Sequence, residues 1–383
     1  MKRLRVGVIY GGRSGEHEVS LASAAAVFAN LDRERYEPIP IRIEKDGRWS
    51  LADRPPTAIS AAEVIEQARL DAARPLRASR EVHLLPRPSG ETMLTIDRKE
   101  DDATRAVLTG LGLDLVFPVL HGPYGEDGTI QGLLELANVP YVGCGVLASA
   151  VGMDKSVMKV LFAARGLNVT EGTTITAAQW TAGREAIARD VASRFGFPLF
   201  VKPANLGSSV GISKAHDAAE LGPAIDLAAG YDRKIVIEKA VPDAREIEVA
   251  VLGNDDPEAS VPGEIIPSRE FYDYEAKYLD EGSRSVIPAE LEPGLADEVR
   301  RQALEAFRAI DGAGMARVDF LIPRGTRDIF VNEVNTIPGF TTISMYAKMW
   351  DATGLTYPML LDRLIALAIA RHTDKQQLKT SFL

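Results

Sequence analysis

The chain has 383 residues, of which 46% are hydrophobic, with a formal net charge of −10 and a single cysteine. This length favours two or three domains, and the apolar content is ample for several cores, which excludes wholesale disorder. The acidic balance argues against nucleic acid as a partner, and the lone Cys144 cannot form an intrachain disulfide, which fits a reducing compartment.

The N-terminal part has the pattern of an α/β domain. Val6–Tyr10 is an unbroken apolar run that predicts a buried parallel strand, and Val19–Leu31 predicts a helix after a glycine-rich loop. The apolar run is too short for a signal peptide. Strand, glycine loop and helix in this order predict a ligand site at the strand's carboxyl end, where Glu16 lies. An exposed loop glutamate without a role is the simpler alternative.

A second buried strand, Leu115–Leu120, ends at His121 in another glycine-rich loop. At this position His121 is either a site residue or a side chain that caps the loop. Residues 44–112 before it are polar and weakly periodic, and we interpret them as an elaboration of the first domain. Ile130–Ala137 then predicts a helix and Val139–Val142 a further strand.

The central part begins after a stretch of small residues at 143–149, which predicts a domain boundary. The predicted elements that follow are two helices and a strand: Ser156–Arg165, Thr181–Arg194 and Leu199–Lys202. The glycine- and serine-rich segment Lys202–Gly211 lies between two strand-like segments and predicts a hairpin whose amide groups cover phosphates. A plain linker is the alternative, but Lys202 at the end of an apolar strand favours phosphate contact.

Lys234–Glu238 predicts an edge strand whose backbone groups, with a neighbouring acid, could bind an adenine ring. Any edge strand would show the same pattern. Glu246–Leu252 alternates well and predicts the first strand of the third domain. Ser268–Tyr278 is a long polar and aromatic loop, typical of a lid. Leu295–Ile310 is an amphipathic helix. The final apolar segment, Tyr357–Ala370, is too short and too interrupted by charge to span a bilayer, so we expect a cytoplasmic protein.

Chemistry is concentrated in Gly314–Gly339. Two apolar runs flank a polar turn and predict a hairpin. If Ile322 pairs with Phe330, then Asp319 lies opposite Glu333, because paired positions in antiparallel strands keep a constant sum. A slip of one residue would turn Glu333 to the other face.

Arg317 and Asn335 lie on the same predicted face as these two acids. Carboxylate and amide oxygens suit Mg²⁺, which takes few protein ligands and completes its shell with phosphate and water. Arg317 beside them is a fixed positive charge suited to an anionic intermediate. The alternative is a solvated hairpin with scattered charges.

Together these segments resemble the D-alanine–D-alanine ligase family of ATP-grasp carboxylate–amine ligases. The motifs occur in the family's order from residue 11 to 345: GGRSGEHEVSL, HGPYGEDGTIQG, MDK, VKPANLGSSVGIS, EKAV, EFYDYEAKY, GMARVDF and NEVNTIPGFTTISM. The resemblance implies an α/β three-domain architecture with an N-terminal parallel sheet, at 1–143, 144–240 and 241–383. It also implies D-alanine as substrate, ATP between the second and third domains, and a homodimer that serves peptidoglycan synthesis.

The resemblance assigns functional residues by position. The expected ATP ligands are Lys155, Lys202, Ser208, Ser209, Glu238, Lys239, Val241, Glu246 and Lys277. The spacing from Glu238 to Glu246 is one residue longer than in some relatives. The expected ligands of two Mg²⁺ ions, for which Mn²⁺ substitutes, are Asp319, Glu333 and Asn335. The expected substrate contacts are Glu16, Val19, His121, Tyr278, Arg317, Gly339, Ser344 and Met345.

Within this set the resemblance implies that Glu16, Ser208 and Tyr278 form a network between the three domains, and that Arg317 and the Gly339 N–H stabilise an oxyanion. Three alternative functions stay open. The first is a ligase with D-lactate as second substrate, although in the family a tyrosine at the position of Tyr278 accompanies the amine nucleophile. The others are a phosphotransferase that stops at a phosphorylated product, and a nucleotide-binding module without turnover.

Overall fold

The computed structural model describes residues 2–58, 60–71, 80–99, 102–267 and 284–379. In these ranges the strands are β1 Leu4–Gly11, β2 Tyr36–Ile43, β3 Trp49–Leu51, β4 Arg80–Leu84, β5 Met93–Lys99, β6 Asp102–Leu111, β7 Leu115–Val119, β8 Gly172–Thr176, β9 Leu199–Pro203, β10 Ser213–Ala215, β11 Lys234–Lys239, β12 Ala244–Gly253, β13 Glu258–Ala259, β14 Gly263–Ile266, β15 Arg284–Val286, β16 Gly314–Pro323 and β17 Phe330–Asn335. The helices are α1 His17–Asn30, α2 Ala61–Asp71, α3 Thr129–Ala137, α4 Val146–Met153, α5 Lys155–Ala164, α6 Ala177–Phe195, α7 Ala218–Ala229, α8 Leu295–Ala309, α9 Met345–Ala352 and α10 Tyr357–Gln376.

The first sheet has the strand order β6-β5-β4-β3-β2-β1-β7. As predicted, the apolar β1 is buried and pairs in parallel with β2 and with β7. The strands β3 to β6 extend this sheet in antiparallel fashion, so residues 44–112 do elaborate it, with strands that their weak periodicity did not predict. The predicted strand Val139–Val142 is wrong, since only a single bridge joins Tyr141 to Val116.

The second sheet has the order β10-β9-β11-β8, all antiparallel. One face buries Leu199, Val201 and Ile235 among the side chains of α6 and α7. Alternation along the strands places Phe200 and Lys202 on the other face, where Lys202 reaches the third sheet. The expectation that β11 is an edge strand is wrong, because β11 lies between β9 and β8.

The third sheet has the order β15-β14-β12-β16-β17, with β13 also paired to β12. Helix α8 packs its buried face, which includes Val299, Ala303 and Phe307, against the apolar side of β16 and β17, as its amphipathic pattern predicted. The opposite side of β12, β16 and β17 carries the polar residues of the site.

The hairpin of β16 and β17 confirms one part of the predicted register and corrects another. Asp319 does pair with Glu333, but Leu321, not Ile322, pairs with Phe330. The reason is a β-bulge at Asn332, which shifts the register by one residue between the two ends of the hairpin. Because of this bulge the two acids still lie side by side on one face.

The C-terminal helices join the third sheet to the first. Trp350 of α9 and Leu360 and Leu364 of α10 belong to the same buried apolar cluster as Val8 and Phe117 of the first sheet. Burying this much apolar surface fixes the two sheets relative to each other. Among the described residues no single helix is long and apolar enough to cross a membrane, although α9 and α10 pass that test together across a bend of 103°.

Candidate active site

The polar face of the third sheet centres on Arg317. Its Nε donates to Oδ1 of Asp319 at 2.7 Å and its Nη2 donates to Oδ2 at 2.6 Å, and the Asn335 amide also donates to Oδ2 at 3.0 Å. Burial alone would lower the pKa of Arg317, but the carboxylates of Asp319 and Glu248 raise it well above its ordinary value. The guanidinium is therefore a permanent charge in this site.

Glu248 is a site residue that the sequence reasoning missed. It pairs with Asp319 across β12 and β16, is 8% exposed, and lies 3.3 Å from the Arg317 Nε. Glu248, Asp319 and Glu333 thus occupy one row across three adjacent strands. Glu248 could have been predicted from the sequence, because it stands two residues after Glu246 in an alternating strand and so lies on the same face.

Lys155 connects the central part of the chain to this face. Asp154 caps α5 by accepting from the amides of Ser156 and Val157, which places Lys155 at the first turn. The Lys155 Nζ donates to the Leu206 carbonyl at 2.8 Å and lies 3.4 Å from the Glu333 carboxylate. The structure therefore brings the predicted Lys155 and Glu333 together.

A buried charge cluster surrounds Glu238 on the second sheet. Its Oε2 accepts from Lys159 at 2.6 Å and from Thr170 at 2.6 Å, and lies 3.4 Å from Lys202. Lys202 also lies 3.4 Å from Asn332 of β17, so the second and third sheets meet here. Burial would raise the pKa of Glu238, but the two lysines lower it far below its ordinary value. Lys159 and Thr170 were not predicted as site residues.

Glu16 lies in the loop before α1 and is 8% exposed. Ser208, from the glycine-rich loop after β9, donates its hydroxyl to Glu16, as the predicted network requires. Gly122 and Gly207 leave room for this carboxylate, since a Cβ at either position would lie 2.5 or 2.9 Å from its Oε2. Gly122 also has a φ of +72°, which favours glycine.

His121 is buried at the end of β7, within a network of its own. Its Nε2 lies 3.0 Å from the Ser23 hydroxyl, and its Nδ1 lies 3.1 Å from the Ile337 carbonyl and 3.6 Å from Glu126. Burial would lower the pKa of His121, but the neighbouring Glu126 carboxylate raises it above its ordinary value. Burial and the charge of Glu16 raise the pKa of Glu126 in turn. The sequence reasoning missed Glu126, although it stands in the same glycine-rich loop.

The segment after β17 carries the remaining predicted contacts. A Cβ on Gly339 would lie 2.9 Å from the Ser344 hydroxyl, so these residues are neighbours. Ser344 is the N-cap residue of α9, and the buried Met345 begins the helix. The Ser344 amide donates to the Thr341 carbonyl at 3.0 Å, so the amide at this helix N-terminus that suits a carboxylate is that of Met345.

For the other predicted site residues the structure gives the position on an element rather than a contact within the site. Val19 is buried in α1, and Ser209 follows Ser208 with a φ of +57°. Lys239 ends β11, with Val241 two residues on, and Glu246 shares a face of β12 with Glu248. Lys277 and Tyr278, and with them the predicted lid, lie outside the described residues.

Residues from all three sheets thus come together. Lys202 of the second sheet and Lys155 of α5 face the carboxylates of the third sheet. Such a pair of facing sheets, with an α/β layer beside it, defines the class of ATP-grasp ligases.

Comparison with known proteins narrows this class. The family model described as "D-ala D-ala ligase N-terminus" matches residues 5–144, and the one described as "D-ala D-ala ligase C-terminus" matches residues 161–366. A D-alanine–D-alanine ligase from Heliobacterium modesticaldum is 48% identical over 100% of this chain and 99% of its own length. One from Bacillus cytotoxicus is 45% identical over 99% of each chain.

Two solved structures are also similar. The D-alanine–D-alanine ligase of Coxiella burnetii matches with a TM-score of 0.81 and 36% identity, over 98% of this chain and 97% of that one. A D-Ala:D-Ser ligase from Enterococcus faecalis matches with a TM-score of 0.80 and 34% identity, over 96% and 100%. The chain belongs to the D-alanine–D-alanine ligase family.

Proposed function

We propose that this protein joins two D-alanine molecules at the expense of ATP, through a D-alanyl phosphate, and so supplies a dipeptide for peptidoglycan precursors. The observation that carries the proposal is the row of carboxylates around Arg317, faced by Lys155 and Lys202. It rests also on family membership, because the family uses ATP. The expected division into 1–143, 144–240 and 241–383 is part of the proposal, with one sheet in each.

The nucleotide would lie between the second and third sheets. Lys155 and Lys202 would contact its phosphates, with the amides around Ser208 and Ser209 covering them. Glu238, Lys239 and Val241 would hold the adenine, and Glu246 the ribose. Lys277 would reach the terminal phosphate from the loop that lies outside the described residues.

The donor set on the third sheet fits magnesium. Asp319, Glu333 and Asn335 offer carboxylate and amide oxygens on one face, a small set of hard donors. This suits an ion that leaves several positions to phosphate and water. We propose two Mg²⁺ ions here, or Mn²⁺ in their place. When bound, they would offset the charge on the phosphoryl oxygens.

The reaction begins when a carboxylate oxygen of the first D-alanine attacks the γ-phosphorus of ATP, which gives an acyl phosphate and ADP. Glu16 would bind the ammonium group of this first substrate, held in place by Ser208, and Val19 and His121 would line its pocket. Oε2 of Glu16 can accept from an ammonium because neither Gly122 nor Gly207 places a side chain against it.

The free amine of the second D-alanine then attacks the acyl carbon and forms a tetrahedral oxyanion. When this adduct collapses to the amide, the C–O bond to the phosphoryl group breaks, and phosphate leaves as hydrogen phosphate with the proton that the amine loses. Ser344 and the Met345 amide would bind the carboxylate of this second substrate. Arg317 and the Gly339 N–H would stabilise the tetrahedral oxyanion, a contribution that is typically about 2.7–4 kcal/mol for one donor. Tyr278 would complete the network with Glu16 and Ser208 and help to exclude water from the acyl phosphate.

We propose a homodimer as the functional assembly. Leu136 of α3 and Leu147 of α4 are 61% and 58% exposed on neighbouring helices, and such apolar surface is typical of an association site. Sedimentation of the wild type and of a Leu136→Glu, Leu147→Glu double variant tests this. A monomer in the variant alone supports the proposal, and a monomeric wild type contradicts it.

One experiment tests the proposed reaction against its alternatives. ADP release is measured with D-alanine, with L-alanine, with D-alanine plus D-lactate and with no added substrate, and the products are then identified by mass spectrometry. We expect ADP, phosphate and dipeptide in equal amounts with D-alanine alone. A phosphorylated end product would favour a phosphotransferase, a depsipeptide would favour the D-lactate ligase, and binding without ADP release would favour a module without turnover.

A further inference from the structure

The two oxygens of the Glu238 carboxylate have different surroundings. Oε2 is held by Lys159 and Thr170, each at 2.6 Å. Oε1 is buried and has no hydrogen-bond partner in the part of the chain that the structure describes. Because a buried acceptor without a donor is costly, this oxygen calls for a donor from a ligand.

The direction of Glu238 fits a ligand between the sheets. In β11 and β9, Glu238 is paired with Phe200, two positions from Lys202, so the three side chains share one face of the second sheet. Lys202 on that face contacts Asn332 of the third sheet. The opposite face is filled by the apolar core under α6 and α7. Glu238 therefore faces the space in which the proposed nucleotide lies.

Lys159 has no part in the proposed mechanism, yet it is buried at the centre of this cluster. It lies one helical turn after Lys155 on α5, donates to Thr170 at 2.8 Å, and makes the short contact to Glu238. Lys202, at 3.4 Å, makes only a long contact to the same oxygen. Lys159 thus satisfies the carboxylate that would otherwise draw Lys202 towards it.

We propose that Lys159, assisted by Thr170, is a positioning residue for nucleotide recognition. It fixes Oε2 of Glu238 so that Oε1 accepts from the 6-amino group of adenine, and it leaves Lys202 free for the phosphates. This inference rests on the proposed binding of ATP between the two sheets.

The charges of the cluster support this role. Burial lowers the pKa of Lys159 to about 8, with Glu238 acting in the opposite direction, so at neutral pH the lysine remains largely protonated. The carboxylate is ionised and is therefore an acceptor only. A base with an amino group at position 6 satisfies it, whereas the oxygen of guanine at that position would face a second acceptor. Two acceptors that face each other in a buried site repel and lack a donor, and this penalty lets such a site discriminate against a closely similar ligand.

The test compares ATP with purine riboside triphosphate, which lacks only the 6-amino group. Dissociation constants of both are measured by competition with a fluorescent ATP analogue, for the wild type, Lys159→Met and Thr170→Val. Arg184→Met is the control, because Arg184 pairs with Asp226 on the surface of the same region, away from Glu238. Thermal melts establish that each variant is folded.

In the wild type and the control we expect ATP to bind roughly tenfold to a hundredfold more tightly than the analogue, the usual worth of a hydrogen bond to a charged group. In Lys159→Met this ratio should fall to about threefold or less, and in Thr170→Val to an intermediate value. Should Lys159→Met not fold, the Thr170→Val ratio decides. A purely structural Lys159 would weaken both nucleotides equally and leave the ratio unchanged, which would overturn the inference.

These outcomes are distinct from failure of the proposed function. If the wild type binds ATP with the expected preference but forms no dipeptide, the reaction is wrong and the role of Lys159 stands. If the wild type forms dipeptide but shows no preference for the 6-amino group, the proposed reaction stands and the role of Lys159 is wrong.

Discussion

Replacing Arg317 with alanine should damage both stability and catalysis. The guanidinium makes two hydrogen bonds to Asp319 and lies 3.3 Å from Glu248, and the side chains of Arg317 and Asp319 are only 19% and 15% exposed. Removing one partner from a buried ion pair typically costs about 3–5 kcal/mol, and the remaining exposure places this case near about 3 kcal/mol. The lost oxyanion donor should lower kcat by on the order of a hundredfold or more.

The assay combines thermal melting with steady-state turnover, each with and without Mg²⁺. In Arg317→Ala the carboxylates of Asp319, Glu248 and Glu333 are left in one row, so added Mg²⁺ should restore part of the lost stability but not the turnover. Arg308→Ala is the matched control, because Arg308 makes a half-exposed ion pair with Glu305 on α8. Near-normal turnover in Arg317→Ala, or a loss of stability no larger than in the control, would refute the reasoning.

Three further results are expected. Gly207→Ala should raise the KM for the first D-alanine by about tenfold, because its Cβ would lie 2.9 Å from Glu16; an unchanged KM in a folded variant contradicts this. The affinity for ATP should fall as pH rises through about 8, since the protonated form of Lys159 is present below that pKa and lost above it; a flat profile from pH 7 to about pH 9 speaks against it. Glu126→Gln should lower the pKa of His121, measured by NMR titration, because Glu126 contributes most among the groups that raise it; an unchanged pKa rules this out.

The hairpin illustrates how far the sequence could predict the site. The face shared by Asp319 and Glu333 followed from strand alternation, but the assumed pairing of Ile322 with Phe330 did not hold. In β17 two apolar residues, Phe330 and Val331, are followed by two polar ones, Asn332 and Glu333, so the alternation breaks at the bulge. This break indicates a bulge, which the assumption of a uniform register did not take into account.

The buried partners of charged residues were harder to predict, because a helix or strand pattern gives the face of a residue and not its neighbour across a domain. Lys159 follows Lys155 by four residues, which places it on the same helix face. That Glu238 and Thr170 meet Lys159 there depends on the packing of α5 against the second sheet. Residues 44–112 escaped prediction for another reason, since strands such as β6 expose apolar residues like Leu108 and lack clear alternation.

The magnesium–nucleotide clasp beside Arg317 is most directly tested by Mn²⁺ binding, counted by electron paramagnetic resonance with a non-hydrolysable ATP analogue. Wild type and Glu333→Gln are compared, with and without the nucleotide. We predict two tightly bound Mn²⁺ ions per wild-type chain only when the analogue is present, and fewer or weaker ions in Glu333→Gln. Equal binding in both proteins would contradict the account.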